Sequence, residues 1–306
     1  MTNVFTSTDL AAIAAPFGGT VQDVTVDAVR AADAAARKAG VRVRTIGDLA
    51  GLDAVRLQFE GIWRPAGGRA PMTRELLRAM AKAGGYVSGA FEDGELVGAC
   101  VGFFGPPPDE ALHSHIAGVA ARMRGRGVGF ALKAHQRAWA LMHGATEVSW
   151  TFDPLVRRNA YFAIGKLAAA PAEYLRDFYG RMDDAINGTD ATDRLLVRWR
   201  LDGAEVAEAC HGRHRVGDAL AARTGGAVVA LGATAGGGPA PGRIDGPAIL
   251  VTVPDDIERL RRADPARAAG WRAAVREAFG ELLADGWTVT GFDRAGWYIF
   301  GRKDES

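Results

Sequence analysis

The sequence predicts an α/β (α+β) fold on three observations. From Leu112 to Lys133 an alternating, small-residue strand pattern runs through a basic, glycine-rich turn into an Ala/Leu-rich helical pattern. Two apolar strand-like runs, Tyr86 to Glu92 and Glu95 to Phe104, flank Asp93-Gly94, a two-residue hairpin signal. Beyond the turn, helix and strand patterns alternate: a helix to about His143, a strand from Glu147 to Phe152, a helix from about Val156 to Ala168, then strands at Tyr174 to Phe178 and Arg194 to Leu201.

The preceding elements follow from the same rules. Val26 to Lys38 is rich in strong helix formers and stops before Gly40. Val41 to Ile46 alternates as a first strand, and Asp48 is placed to cap a helix with Leu52, Val55, Phe59 and Ile62 on one face. Trp63 to Gly68 interrupts the helical period, which resumes from Met72 to Ala83.

Composition limits the function classes. With 306 residues, 48% hydrophobic and 24% charged, the chain can bury a real core. A net charge of +1 argues against a dedicated nucleic-acid binder. The two cysteines, Cys100 and Cys210, lack metal or disulfide-framework spacing, so no metal site is expected and a reducing cytoplasm fits. Neither a signal peptide nor a run of about 18 apolar residues is evident, so no membrane partner is expected.

The turn between strand and helix reads as an anion cradle. Arg124, Gly125, Arg126, Gly127, Val128 and Gly129 form R-x-x-G-x-G, whose glycines leave no side chains between a phosphate and the backbone N–H groups at the helix start. It lacks the Gly-Lys-Ser/Thr ending of a P-loop and the G-x-G-x-x-G of a dinucleotide site. In these residues the chain resembles the GNAT superfamily of acyl-CoA-dependent N-acyltransferases, whose signature Q/R-x-x-G-x-G/A binds the pyrophosphate of coenzyme A. The resemblance covers roughly Val41 to Asp202. It implies a mixed, mostly antiparallel central sheet flanked by helices, with acetyl-CoA or another acyl-CoA as cosubstrate.

On the central strand, His113 and His115 are two apart and project from one face. Burying two imidazoles demands partners or water, and a pKa near 6.5 suits a base at neutral pH. Leu112-His113-Ser114-His115 is similar to the paired-histidine strand of serotonin N-acetyltransferase, a GNAT member, which implies that His113 and His115 deprotonate the amine. A glycine inside a strand often marks a bulge. At Gly118 the resemblance implies a splay that frees N–H groups near Gly118 and Val119 for the acyl and pantetheine carbonyls. The family tyrosine that protonates the leaving thiolate has no counterpart, because Asn159-Ala160-Tyr161-Phe162-Ala163-Ile164-Gly165-Lys166 puts Ile164 at its position. Tyr179 is the substitute acid that we select, with Tyr161 and Tyr174 as other tyrosines nearby. Asn159 could bond the pantetheine arm. Asp153 could hold an ammonium group or cap a helix, and Trp63 and Arg64 could touch substrate or close the core edge. Lys133, a turn beyond the cradle, could reach the phosphoadenosine end or stand exposed.

The C-terminal part exceeds a minimal GNAT. Gly232 to Gly246 has the composition of a flexible connection. Ala248 to Val253 reads as a strand, Asp255 and Glu258 as a capping box, Asp264-Pro265 as a helix start, and Thr288 to Phe292 with Trp297 to Phe300 as a hairpin. The chain thus divides into an arm and helix over 1–40, an acyltransferase core over 41–202, a connecting segment over 203–246 and an additional α+β region over 247–306. H-S-H, W-T-F-D-P and the tail resemble a branch of large GNAT proteins similar to enzymes proposed to N-succinylate amino acids. The expected activity is direct acylation of a small primary amine or amino acid, with acetyl-CoA as default donor and succinyl-CoA as the runner-up. A non-catalytic acyl-CoA sensor is the alternative that Ile164 motivates, and a homodimer is one use of the tail.

Overall fold

A computed structural model describes residues 19–64, 70–106, 110–180, 182, 184, 186–214 and 216–302. The chain forms two compact units, Met1–Trp150 with Trp199–Arg213, and Thr151–Arg198 with His214–Ser306.

In the first unit, helix α1 (Gly19–Ala39) precedes strand β1 (Arg42–Thr45) and helix α2 (Leu49–Trp63). Asp48 caps α2 by accepting from Gly51 N–H at 2.8 Å. Helix α3 (Arg74–Lys82) is capped by Thr73, and strands β2 (Tyr86–Glu92), β3 (Glu95–Phe104) and β4 (Ala111–Val119) follow. The turn between β2 and β3 has Asp93 at φ 49° and Gly94 at φ 85°, the left-handed pair that a two-residue hairpin of right-twisted strands requires. Helix α4 (Val128–Met142) and strand β5 (Glu147–Phe152) complete the run. Strands β1 to β4 pair antiparallel in sequence order, and β4 pairs parallel with β5, so the sheet is mixed.

Two helix layers cover this sheet. On one side Leu52, Val55 and Phe59 of α2 and Leu77 of α3 pack on Val87, Ala99 and Val101. On the other, α4 is buried almost all round, with Lys133, His135, Gln136 and Arg137 among its buried residues. Helix α1 packs along α4. Its Ala28, Ala31, Ala32, Ala35, Ala36 and Ala39 are buried, and such small side chains let helix axes approach closely. The N-terminal helix therefore covers the core; of the arm expected from Met1 to Gly19, residues 1–18 lie outside the described residues and Gly19 opens α1. Helix α6 (Ala204–Cys210) also belongs to this unit.

The second unit contains a short helix α5 (Arg157–Ala160) that continues as a π-helix over Tyr161–Lys166, where an α-helix to Ala168 was expected. Strand β6 (Ala170–Leu175) lies earlier than the expected Tyr174 to Phe178 and pairs antiparallel with β7 (Arg194–Arg200). The segment from His214 adds helix α7 (Ala219–Thr224), strands β8 (Val228–Ala233), β9 (Pro239–Pro241) and β10 (Ile249–Thr252), helices α8 (Ile257–Ala263) and α9 (Pro265–Ala284), and strands β11 (Trp287–Asp293) and β12 (Trp297–Arg302). These strands form a five-stranded sheet in the order β11-β12-β10-β8-β9. The glycine-rich stretch read as a flexible connection thus carries a strand pair. Gly242 is glycine because a Cβ there would collide with the Val229 carbonyl oxygen. The cap of α8 is Asp256, not Asp255, accepting from Arg259 N–H at 2.8 Å. The Asp264-Pro265 start and the terminal hairpin stand as read.

Candidate active site

The cradle folds as its glycines demand. Gly125 and Gly127 have φ of 80° and 86°, a region closed to most L side chains, and Gly127 is the N-cap of α4. No side chain caps this helix, and its first backbone bond runs from Ala131 N–H to the Gly127 carbonyl. The N–H groups of Val128, Gly129 and Phe130 are therefore left without helical partners at the positive end of the helix dipole. An approaching phosphate meets N–H groups and no side chain, so these residues fit a diphosphate. Among the turn's arginines, Arg122 is held by Glu92 and Glu95 at 2.8 and 2.7 Å, and Arg126 by Glu92 at 2.8 Å. Arg124 is exposed and makes no side-chain bond among the described residues.

Beside the cradle, β4 and β5 part. Their pairing covers Ala111, Leu112 and His113 against Glu147, Val148 and Ser149, after which β4 pairs with β3 alone. Gly118 and Val119 lie on that open edge. The bulge, however, is not at Gly118, which stands in regular register opposite Ala99. Ser114 opposes Gly102 and Ile116 opposes Val101, so His115 is the extra residue. Gly118 is small for another reason: a Cβ there would come within 2.7 Å of Ile62 and 2.9 Å of Trp63.

The bulge re-aims His115 so that both imidazoles lie against Phe103, at 5.2 Å for His113 and 5.9 Å for His115, with 6.2 Å between them. His113 Nδ1 is 3.3 Å from Ser149 Oγ. Burial, the neighbouring His115 and the charge of Lys133 hold the His113 pKa below its ordinary value, and burial does the same at His115. Both rings are thereby kept neutral and able to accept a proton at pH 7.

Lys133 is neither exposed nor turned outward. It is 4% exposed, donates to Gln136 Oε1 at 2.6 Å and lies 3.9 Å from the Trp150 ring centre and 5.3 Å from that of Trp199. Burial lowers its pKa to about 8. Ser149 and Phe103 are members of this site that sequence reasoning missed, and Lys133 is one for which it offered other surroundings. The burial of Lys133 had no sequence signal, because Gln136 and Arg137 follow it at i+3 and i+4 as they would on a solvated helix face.

Trp63 packs edge-on to Phe59 at 5.6 Å and, partly buried, against the core, and Arg64 ends α2 in a left-handed conformation with φ 44°. In the second unit, Tyr179 is 38% exposed and its hydroxyl lies 3.1 Å from Thr151 Oγ1. Asn159 is half-buried, in α5. Asp153 is buried rather than open to an ammonium ion: it accepts Leu155 N–H at 3.0 Å and pairs with Arg261 and Arg272. Those guanidiniums hold its carboxyl below the ordinary carboxylate range against the opposing effect of burial. Among the described residues no group of three or more His, Cys, Asp or Glu could hold a metal ion, and no helix is long and apolar enough to cross a membrane.

The mixed sheet that parts beside an uncapped helix start lies within a stretch that resembles known proteins. Residues 52–165 match the model of the acetyltransferase (GNAT) family. No curated protein matches the chain. Similar solved structures include an N-acetyltransferase from Staphylococcus aureus Mu50, 17% identical, covering 53% of this chain and 98% of its own at a TM-score of 0.44. The ribosomal-protein-S18-alanine N-acetyltransferase from Escherichia coli is 11% identical, over 54% and 96%, at 0.42. A Salmonella typhimurium protein solved with its cofactor acetyl-CoA is 15% identical, over 55% and 98%, at 0.42.

Proposed function

We propose that the protein is an acyl-CoA-dependent N-acyltransferase that transfers an acyl group directly to a small primary amine or amino acid. The carrying observation is one juxtaposition in the first unit: an uncapped helix start behind Gly125 and Gly127, next to a strand whose open edge follows a neutral histidine pair. The cradle holds the coenzyme A diphosphate, with Arg124 as the free cation. A protonated amine cannot attack a thioester, so His113 and His115 take its proton. N–H groups near Gly118 and Val119 receive the acyl and pantetheine carbonyls, and stabilise the oxyanion as it forms. Tyr179 protonates the leaving thiolate, and Asn159 bonds the pantetheine arm. Trp63 and Arg64 border the acceptor. Acetyl-CoA is the default donor and succinyl-CoA the second, in line with the large-chain branch that the histidine pair and tail resemble. The cysteine usage fits a cytoplasmic setting.

The test is thiol release from acetyl-CoA and succinyl-CoA against D- and L-amino acids and simple amines, with donor binding followed separately by calorimetry. Turnover with an acceptor in the panel is expected. Tight donor binding without turnover would replace this reading by a non-catalytic acyl-CoA sensor, and absence of binding would overturn both.

A further inference from the structure

Asp153 and Asp190 in the second unit, each with a side chain 7% exposed, anchor a buried ion cluster. Arg261 reaches Asp153 at 2.5 Å and Asp190 at 2.9 Å, and Arg272 reaches them at 2.9 and 3.1 Å. Two carboxylates therefore balance two guanidiniums. A third, Arg194, is buried beside them at 7% exposure and meets no carboxylate among the described residues. Its donors go to the Asp193 carbonyl at 3.0 Å, Asn187 Oδ1 at 2.9 Å and Met182 Sδ at 3.7 Å. The Asp193 carboxylate is committed to Arg276 at 2.6 Å, the Tyr174 hydroxyl at 2.7 Å and Asp177 N–H at 2.9 Å. Arg272 Nη1, in the same cluster, is buried with no hydrogen-bond partner.

Among the described residues Arg194 thus has no ion-pair partner, and a buried charge without one is costly unless an anion joins it. A planar guanidinium with free donors selects a planar, bidentate acceptor. The exposed ring of Tyr179 is centred 5.3 Å from Arg194 Cζ.

We propose that Arg194, beside Arg272 and beneath Tyr179, binds the carboxylate of a small organic acid. Because Tyr179 is the acid of the reaction proposed above, that carboxylate belongs to a reactant, either an amino-acid acceptor or a dicarboxylic acyl donor. Only this assignment to a reactant rests on the acyltransferase reading.

The binding test is calorimetric titration of the full chain with sodium succinate and with uncharged succinamide at low ionic strength. Succinate is expected to bind and succinamide not, with affinity falling on the order of 10-fold in Arg194→Gln. Arg194→Lys, which keeps the charge but loses the fork, falls between, and it decides the matter if Arg194→Gln does not fold. Absence of succinate binding, or equal binding in wild type and the Lys variant, overturns the proposal. A kinetic arm identifies the source. A KM increase in Arg194→Gln for an amino acid but not for its amide, with acetyl-CoA, assigns the carboxylate to the acceptor. A loss with succinyl-CoA but not acetyl-CoA, on an uncharged amine, assigns it to the donor; no change in either overturns it as a reactant site. A chain with no turnover at all refutes the acyltransferase reading and leaves the titration to decide this one.

Discussion

Removing the buried charge of Lys133 should stabilise the protein, and only below a defined pH. A lysine whose pKa falls from the ordinary 10.5 to about 8 on folding carries a penalty of about 3 kcal/mol wherever it is charged in both states. The indole of Trp150, 3.9 Å from Nζ, offsets about 1–2 kcal/mol of that. Lys133→Met alone strands Gln136 Oε1, which accepts from Nζ at 2.6 Å, so its net effect should be near zero. Lys133→Met/Gln136→Leu removes both partners and should gain about 1–2 kcal/mol at pH 7. The sign with pH is fixed. Between pH 8 and 10.5 the unfolded chain holds the Lys133 proton and the folded chain has released it, so wild-type stability rises across that window relative to the variants. Denaturant unfolding from pH 6 to 10.5 measures both effects. Parallel wild-type and variant curves above pH 8, or a double variant less stable than wild type at pH 7, would refute the reasoning. Because the Lys133 charge is also one cause of the low His113 pKa, either variant should move the acid limb of the rate profile to higher pH.

Two further substitutions test the site. Gly118→Ala forces a methyl against Ile62 and Trp63 and should cost about 1–3 kcal/mol, measured by denaturant unfolding; no loss would mean that the glycine is not required by packing. Tyr179→Phe should lower kcat by roughly 10-fold or more while leaving acyl-CoA affinity unchanged by calorimetry, and an unchanged kcat would remove its role as acid.

Local chemistry was legible in the sequence where it depends on neighbours along the chain. The Asp93-Gly94 hairpin, the Asp48 cap, the Asp264-Pro265 helix start and the strand-turn-helix at Leu112 to Lys133 all follow from backbone preferences. What depends on register was not. Gly118 attracted the bulge by its residue type, yet the extra residue is His115, because only cross-strand pairing determines which residue is left over. Likewise the ion cluster joins Asp153 to Arg272 across a long stretch of chain, and nothing local marks either as a partner. Gly232 to Gly246 misled for a related reason: its glycines include one excluded from larger side chains by a neighbouring strand, which composition cannot distinguish from looseness.

The π-helix at Tyr161–Lys166 bears on how such chains are aligned. A wide turn absorbs one additional residue without ending the helix, and each residue of an α-helix accounts for roughly 100° of rotation. Position counting through this segment as if it were a regular α-helix therefore shifts the direction assigned to each side chain beyond it. A one-residue deletion here would act as a rotary switch, changing which side chains face inward without altering the chemistry of any of them.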